Sequence, residues 1–362
     1  MIAEFISTKD DRWFQILSLA PYDFYHLPQY IELSAEYEGG EPASFYAAMD
    51  GCAFLSPLLI QPVPPLFTGS EQCYDVKTPY GYPTPLLLPS TDTPALERFL
   101  EAFRSVCVER GIITAFFRLH PLIALPKEAL ARHGELIHHG QTAAIDLSLS
   151  HDEIRSQTRE NHKRNIRKLQ RGGFEVHMDR WEFFDEFIAI YEQTMERVGA
   201  SETYFFPNHY FRGLRKALSD RLHLCTVLSP EGEVAAAGLF TTVGDIVEYH
   251  LGATANGFAR QAPSKLMFDY VRYWAKEAGH RIFHLGGGVG CRADSLFEFK
   301  MGFSNLTMDF HTYRMVLDER KYMDVNRLWQ KHFEQPVGAS DFFPVYRHTP
   351  ENKLGKVRES GA

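Results

Sequence analysis

The sequence predicts an α/β (α+β) protein built from two copies of one unit, and three observations carry that prediction. The chain has 362 residues, and at roughly 150 residues per domain that length suggests two domains. A hairpin signal occurs twice, at Asp50-Gly51 and at Gly244-Asp245. Each is followed in the same order by a helix, a glycine and an apolar strand.

In the first copy, Glu41 to Met49 and Cys52 to Gln61 read as strands joined by Asp50-Gly51. Asp-Gly suits a two-residue turn because both central positions need positive φ. A loop rich in Pro, Gly and Tyr runs from Val63 to Pro89, and Thr93-Pro94 reads as an N-cap with proline in the first turn. The helix Ala95 to Glu109 stops at Gly111, and the strand Ile112 to Leu119 follows. In the second copy, Glu233 to Thr242 and Ile246 to Ala253 alternate around the turn. The helix from Pro263 to Ala278 carries Leu266, Met267, Tyr270, Val271, Trp274 and Ala278 at helical spacing. Gly279 stops it, and Arg281 to Leu285 is the next strand. The turn-to-glycine distance is longer in the first copy, which suggests an insertion there.

Apolar residues are 44% and charged residues 23%, which excludes a disordered, collagen-like or disulfide-stapled chain. Aromatics reach 14%, more than two such cores need, so some tyrosines are expected to line a groove. No basic-then-apolar leader opens the chain, and the best apolar run, Ala53 to Val63, is too short and broken to span a bilayer. The five cysteines form no Cys-x-x-Cys and read as reduced thiols. The expectation is a cytoplasmic protein with no membrane span and no DNA partner.

Between the halves, Ser150-His151-Asp152-Glu153 is a capping box, expected to open one helix reaching about Arg171 and ended by Gly172-Gly173. From Arg155 to Arg171 the segment holds seven basic residues against Glu160 alone, a local +6. Since the whole chain is −8, the remainder carries −14 (−8 less +6). Ile154, Ile166 and Leu169 give it one narrow packing edge. It is either a solvated connector or a face for a polyanion, and a basic segment on an acidic protein confines such binding to one place.

Metal sites fare poorly. His280 and His284 flank a strand, and four residues there span roughly 13 Å, too far to share one ion. The cluster Gly286 to Gly290 lacks the lysine and serine or threonine of a phosphate loop. The helix start at Pro263-Ser264-Lys265 suits an anion, as any helix start does.

His284-Leu285-Gly286-Gly287-Gly288 and Asp294 to Phe303, with its Phe299-Lys300-Met301-Gly302-Phe303, resemble a signature of the Fem family of peptidoglycan-bridge aminoacyltransferases. Tyr25 to Tyr30, Thr78 to Tyr82, the basic segment and Glu196 to Gly199 agree with it. The resemblance covers most of residues 20–320. It implies two tandem GNAT-like domains, each a mixed sheet flanked by helices. The first would be residues 1–148, with the tail 322–362 packed back on it, and the second residues 149–321. It implies transfer of an amino acid from aminoacyl-tRNA, as co-substrate, to an amine of a small-molecule or lipid-linked cell-wall precursor, with no tightly bound cofactor. Lys300 is carried over as the catalytic residue. Tyr80, Tyr210, Tyr249 and Phe299 are carried over for acceptor binding. Arg159, Lys163, Arg164, Arg167, Lys168, Ser264 and Lys265 are the expected tRNA contacts. Only Phe174 to Trp181 stands where many members carry a coiled-coil arm, and Thr203 to Pro207 is aromatic where a phosphate-binding base is expected. Two alternatives stay open. One is an acyl-CoA-dependent N-acyltransferase acting on a polysaccharide or peptide natural product. The other is a non-catalytic module binding cell-wall or glycan fragments.

Overall fold

A computed structural model describes residues 1–69, 71–339 and 341–350. The first repeat runs β1 (Ile2–Ile6), α1 (Asp11–Leu19), α2 (Pro28–Glu38), β2 (Glu41–Met49), β3 (Cys52–Pro62), β4 (Tyr74–Lys77), β5 (Leu86–Leu88), α3 (Thr93–Glu109), β6 (Ile112–Arg118), α4 (Lys127–His133) and β7 (Glu135–Asp146). Two short helices follow, α5 (His151–Gln157) and α6 (Glu160–Arg171). The second repeat runs β8 (Glu175–Met178), α7 (Phe184–Val198), α8 (Asn208–Leu218), β9 (Leu222–Leu228), β10 (Val234–Val243), β11 (Ile246–Thr254), α9 (Ser264–Glu277), β12 (Ile282–Gly286), α10 (Ser295–Lys300) and β13 (Leu306–Val316). Helix α11 (Glu319–Phe333) comes last.

The duplication is present, but the two hairpins read from the sequence are not its equivalent parts. In the first repeat β1, β2, β3 and β4 pair antiparallel in succession, and β4 pairs parallel with β6 across helix α3. In the second, β8, β9, β10 and β11 do the same, and β11 pairs parallel with β12 across α9. The first hairpin, β2–β3, therefore corresponds to β9–β10, and the strand before the crossover helix is β4, not β3. The longer first spacing is one more strand with its proline-rich lead-in rather than an insertion. It escaped notice because β4 has four residues and no tight turn before it.

Each repeat gives its last strand to the other sheet. β7 pairs antiparallel with β12, Ile145 opposite Phe283, while β13 pairs antiparallel with β6, Tyr313 opposite Phe117. The chain accordingly divides into unit 1 (Met1–Pro21, Ser34–His138 and from His311 on) and unit 2 (Tyr22–Leu33 and His139–Phe310). The divisions between the units, at 138/139 and 310/311, fall inside β7 and β13, because the exchange carries them into the strands themselves. The tail beyond residue 350 lies outside the described residues.

Unit 1 buries Phe45, Phe54, Phe99, Phe103 and Phe117 between its sheet and α3. Helix α11 closes a second cluster, Val325 and Trp329 against Val63, Phe67, Val345 and Tyr346. Unit 2 buries Phe240, Phe268, Phe283 and Phe303 with Met267 and Val271 of α9. Much of the aromatic excess goes into these cores, where Phe268 stacks on Phe303 at 5.5 Å.

Two local readings are corrected. Helix α3 is capped by Asp92, whose carboxylate accepts from the Ala95 N–H at 2.8 Å, so Thr93 is its first helical residue. The Ser150 capping box forms, but the helix it opens ends at Gln157. Thr158 is extended (φ −73°, ψ 128°) and buried, with its hydroxyl accepting from Arg272 Nη1 at 2.6 Å. That anchor turns the chain before α6 begins.

Candidate functional site

The site is built where two strands of unit 2 part. β11 pairs with β12 only from Ile246 to Glu248, although β11 continues to Thr254. Opposite β10 the register slips, Leu239 facing Leu251 and Phe240 facing Tyr249, so His250 has no counterpart. Such a bulge bends and twists its strand, which carries β11 away from β12. β12 ends at Gly286, whose φ of +75° a side chain would strain.

Helix α10 delivers Lys300 to this opening. Asp294 caps it, accepting from the N–H groups of Leu296 (3.0 Å) and Phe297 (2.9 Å), and also holds the loop through Val289 N–H at 2.8 Å. Burial pushes the Asp294 carboxyl up, but these backbone donors outweigh it and hold it below the usual carboxylate range. Lys300 is 6% exposed. Its Nζ donates to the Gly287 carbonyl at 2.6 Å and stands 5.6 Å from the centre of the Tyr249 ring. Burial pulls its ammonium down to about 8, against the attraction of Glu248, Cys291 and Asp294.

A buried polar chain lies alongside. Glu248 and His284, opposite each other across the parallel pair, meet at 2.6 Å (Oε2 to Nδ1). His284 Nε2 is 2.9 Å from Thr142 Oγ1 on β7. Burial drives His284 down to about 3, with Asp23 opposing and Lys300 adding to the effect, so the imidazole is neutral. Its Nδ1–H donates to the Glu248 carboxylate, and Nε2 accepts from the Thr142 hydroxyl.

Helix α6 packs on α9 through His162, Ile166 and Leu169. His162 sits against Gly302, where any Cβ would overlap its ring, and its Nε2 is 3.0 Å from the Phe299 carbonyl. Burial, with Lys265 adjacent, lowers His162 to about 4. Neutral, it donates Nε2–H to that carbonyl. The basic helix is thus fastened to the segment that carries Lys300.

The structure gathers Lys300, Tyr249 and Phe299 into one cluster, Phe299 lying 5.5 Å from Phe268 and 5.6 Å from Phe303. Ser264 and Lys265 open α9, where burial lowers the Lys265 ammonium. Arg164, Arg167 and Lys168 are exposed and make no ion pair among the described residues. Arg159 pairs with Glu298 at 2.8 Å and Lys163 with Glu160 at 3.0 Å. Tyr80 lies in unit 1, where its N–H donates to Glu38 at 2.7 Å. Tyr210 is corrected: it is 2% exposed, stacked on Phe206 at 4.3 Å with its hydroxyl toward His250, and offers no open face. Phe211, Leu214 and Leu218, buried with it on α8, already marked an apolar helix stripe. Sequence reasoning missed Glu248, Thr142 and His162. A charged residue inside the apolar alternation Val247-Glu248-Tyr249 was the available signal for the first. Nothing marks Thr142.

Residues 156–301 match the family described as acetyltransferase (GNAT) domain. Among solved structures, FemX superposes with a TM-score of 0.65 at 15% identity, over 86% of this chain and 97% of its own. L-PGS from Bacillus licheniformis gives 0.54 at 14% identity, over 89% and 96%. The C-terminal domain (DUF2156) of a putative lysylphosphatidylglycerol synthetase from Agrobacterium fabrum gives 0.54 at 12%, over 89% and 95%. No curated protein matches the sequence. The chain therefore has the fold of FemX, and within it residues 156–301 match an acetyltransferase (GNAT) domain.

Proposed function

We propose that the chain forms an amide bond by moving an amino acid from aminoacyl-tRNA to an amine of a peptidoglycan (cell-wall) precursor. The observation that carries this is a buried lysine, Lys300, at the mouth between parting strands, with one of its three N–H donors committed to Gly287. In such a transfer the amine nitrogen attacks the ester carbonyl and a tetrahedral oxyanion forms. The C–O bond to the ribose then breaks, and the amine proton passes to the departing ribose oxygen. A fixed ammonium in a low-dielectric setting stabilises that oxyanion far more than it would in water. Glu248 offsets part of the desolvation that would otherwise strip Lys300 of its proton.

The donor assignment draws its support from Arg164, Arg167 and Lys168, which leave three exposed cations on the helix clamped to the Lys300 segment. FemX shares the fold, and the synthetase relatives are named for lysylphosphatidylglycerol. No helix among the described residues is long and apolar enough to cross a membrane, and we place the reaction in the cytoplasm. A second reading, acyl-CoA as donor, is favoured by the GNAT match and by the loop Asn256–Gln261 leading from β11 into α9, a place suited to phosphates. The test is incubation with charged tRNA and candidate amines, with and without RNase. Amide formation that survives RNase and requires acyl-CoA refutes the tRNA reading.

A further inference from the structure

The flank of unit 2 carries a cleft that the transfer site does not use. α5, α6 and α9 enclose a small cavity of about 70 Å³, lined by Arg155, Lys163, Arg167 and Arg272 with Asp269 as the one acid. It adjoins an open cleft of about 380 Å³ lined by His151, Asp152 and Glu277, and Arg155 and Tyr273 line both. The larger space falls within the range of small-ligand sites. The smaller holds one compact anion and no more.

Arg272 makes the small cavity unusual. Its side chain is 1% exposed, with Nη1 on Thr158 and Nη2 on Asp269. Its Nε–H is buried and has no partner among the described residues. A buried donor without an acceptor costs about 1–3 kcal/mol, and a guanidinium already fixed on two sides is preorganised for an oxyanion. Lys163 is partly neutralised by Glu160, but Arg155 and Arg167 are exposed and unpaired among the described residues. In the larger cleft the Tyr273 and His151 rings lie 5.1 Å apart, giving aromatic surface for a base. Asp152 and Glu277 supply acceptors for sugar hydroxyls.

We propose that this cleft binds one nucleotide of an RNA strand. Its phosphate sits among Arg155, Arg167 and Arg272, its base rests on Tyr273, and its ribose hydroxyls face Asp152 and Glu277. The assignment rests on the tRNA reading above and deepens it, since it gives the donor a second foothold on the same helix. Carboxylates beside the ribose explain why the site takes a ribonucleotide rather than bare phosphate, and the 2′-hydroxyl separates RNA from DNA.

The test uses the full chain and three probes: 5′-AMP, inorganic phosphate, and a fluorescein-labelled single-stranded RNA octamer with its DNA counterpart. Saturation-transfer NMR reads AMP and its displacement by phosphate, and anisotropy reads the octamers. Arg155→Ala is expected to weaken AMP and RNA at least tenfold. Tyr273→Leu is expected to weaken both with phosphate unaffected, and RNA is expected to bind more tightly than DNA. Thermal melts confirm that both variants fold. Phosphate and AMP binding equally well, or AMP binding that survives both substitutions, overturns the site. AMP binding that responds to both while RNA binding does not overturns the RNA assignment in favour of a free nucleotide. If transfer is RNase-insensitive while the AMP result holds, the tRNA reading falls and the nucleotide site stands.

Discussion

Replacing Lys300 by methionine tests the central residue without needing a substrate. The folded state holds its ammonium at about 8 against 10.5 for a free lysine, and at about 1.4 kcal/mol per unit that burial costs roughly 3 kcal/mol. Here the unfolded chain binds the proton more tightly than the folded one. Below pH 8 both states are protonated and the cost is carried in full. Between pH 8 and 10.5 the folded lysine is neutral while the unfolded one is charged, so wild-type stability rises with pH. Above 10.5 the cost is gone. Methionine fills a similar volume without charge and so never carries this cost. It also leaves the Gly287 carbonyl without its donor, a penalty of about 1 kcal/mol that does not change with pH. Paired urea titrations at pH 7 and pH 10 should therefore show the wild type gaining about 2.5 kcal/mol on Lys300→Met between the two, the rest of the cost being lifted only above pH 10.5. A difference that is the same at both pH values would mean that Lys300 is not a buried, suppressed cation, and the site would have to be rebuilt.

In the transfer assay, Lys300→Met should depress kcat much more than substrate affinity, and wild-type kcat should fall as pH rises through about 8; unchanged turnover removes Lys300 from the reaction. Glu248→Gln removes an attraction that keeps Lys300 protonated, so the descending limb of the pH–rate profile should move to lower pH, and an unmoved limb refutes the coupling. Reversing Arg164, Arg167 and Lys168 to glutamate should weaken tRNA binding and flatten its log–log salt slope by roughly 2–3; an unaltered slope leaves α6 a connector. Gly302→Ala drives a methyl into the His162 ring and should destabilise the fold by about 1–3 kcal/mol in thermal melts; a wild-type melting curve means the α6 contact yields easily.

The duplication and the strands β2, β3, β10 and β11 were legible because period-two alternation and Asp-Gly or Gly-Asp turns are local signals. The strand exchange was not, since which sheet accepts β7 or β13 depends on pairing between segments far apart in the chain. Lys300 could be read from the Phe-Lys-x-Gly-Phe resemblance, but its carbonyl partner Gly287 and the Glu248–His284–Thr142 chain arise from three different strands and a loop. Tyr210 shows the opposite error. A tyrosine looks the same in a sequence whether it lines a cleft or stacks against Phe206. Thr158 is similar, because a residue that ends α5 by accepting a bond from Arg272 has no local breaker signal.

The exchanged strands also bear on how the chain is made. As the polypeptide leaves the ribosome, residues 1–138 emerge with the sheet edge at β6 still open, and β13 arrives only at the end of synthesis. Phe24, assigned to unit 2, has only its neighbours Tyr25 and Tyr30 to pack on until His250, 5.0 Å from it in the finished protein, has been translated. An unpaired strand edge and bare aromatic rings are the ingredients of aggregation. Neither half should survive expression by itself if cut at residue 148, and a nascent chain stalled before residue 306 should be a client for chaperones.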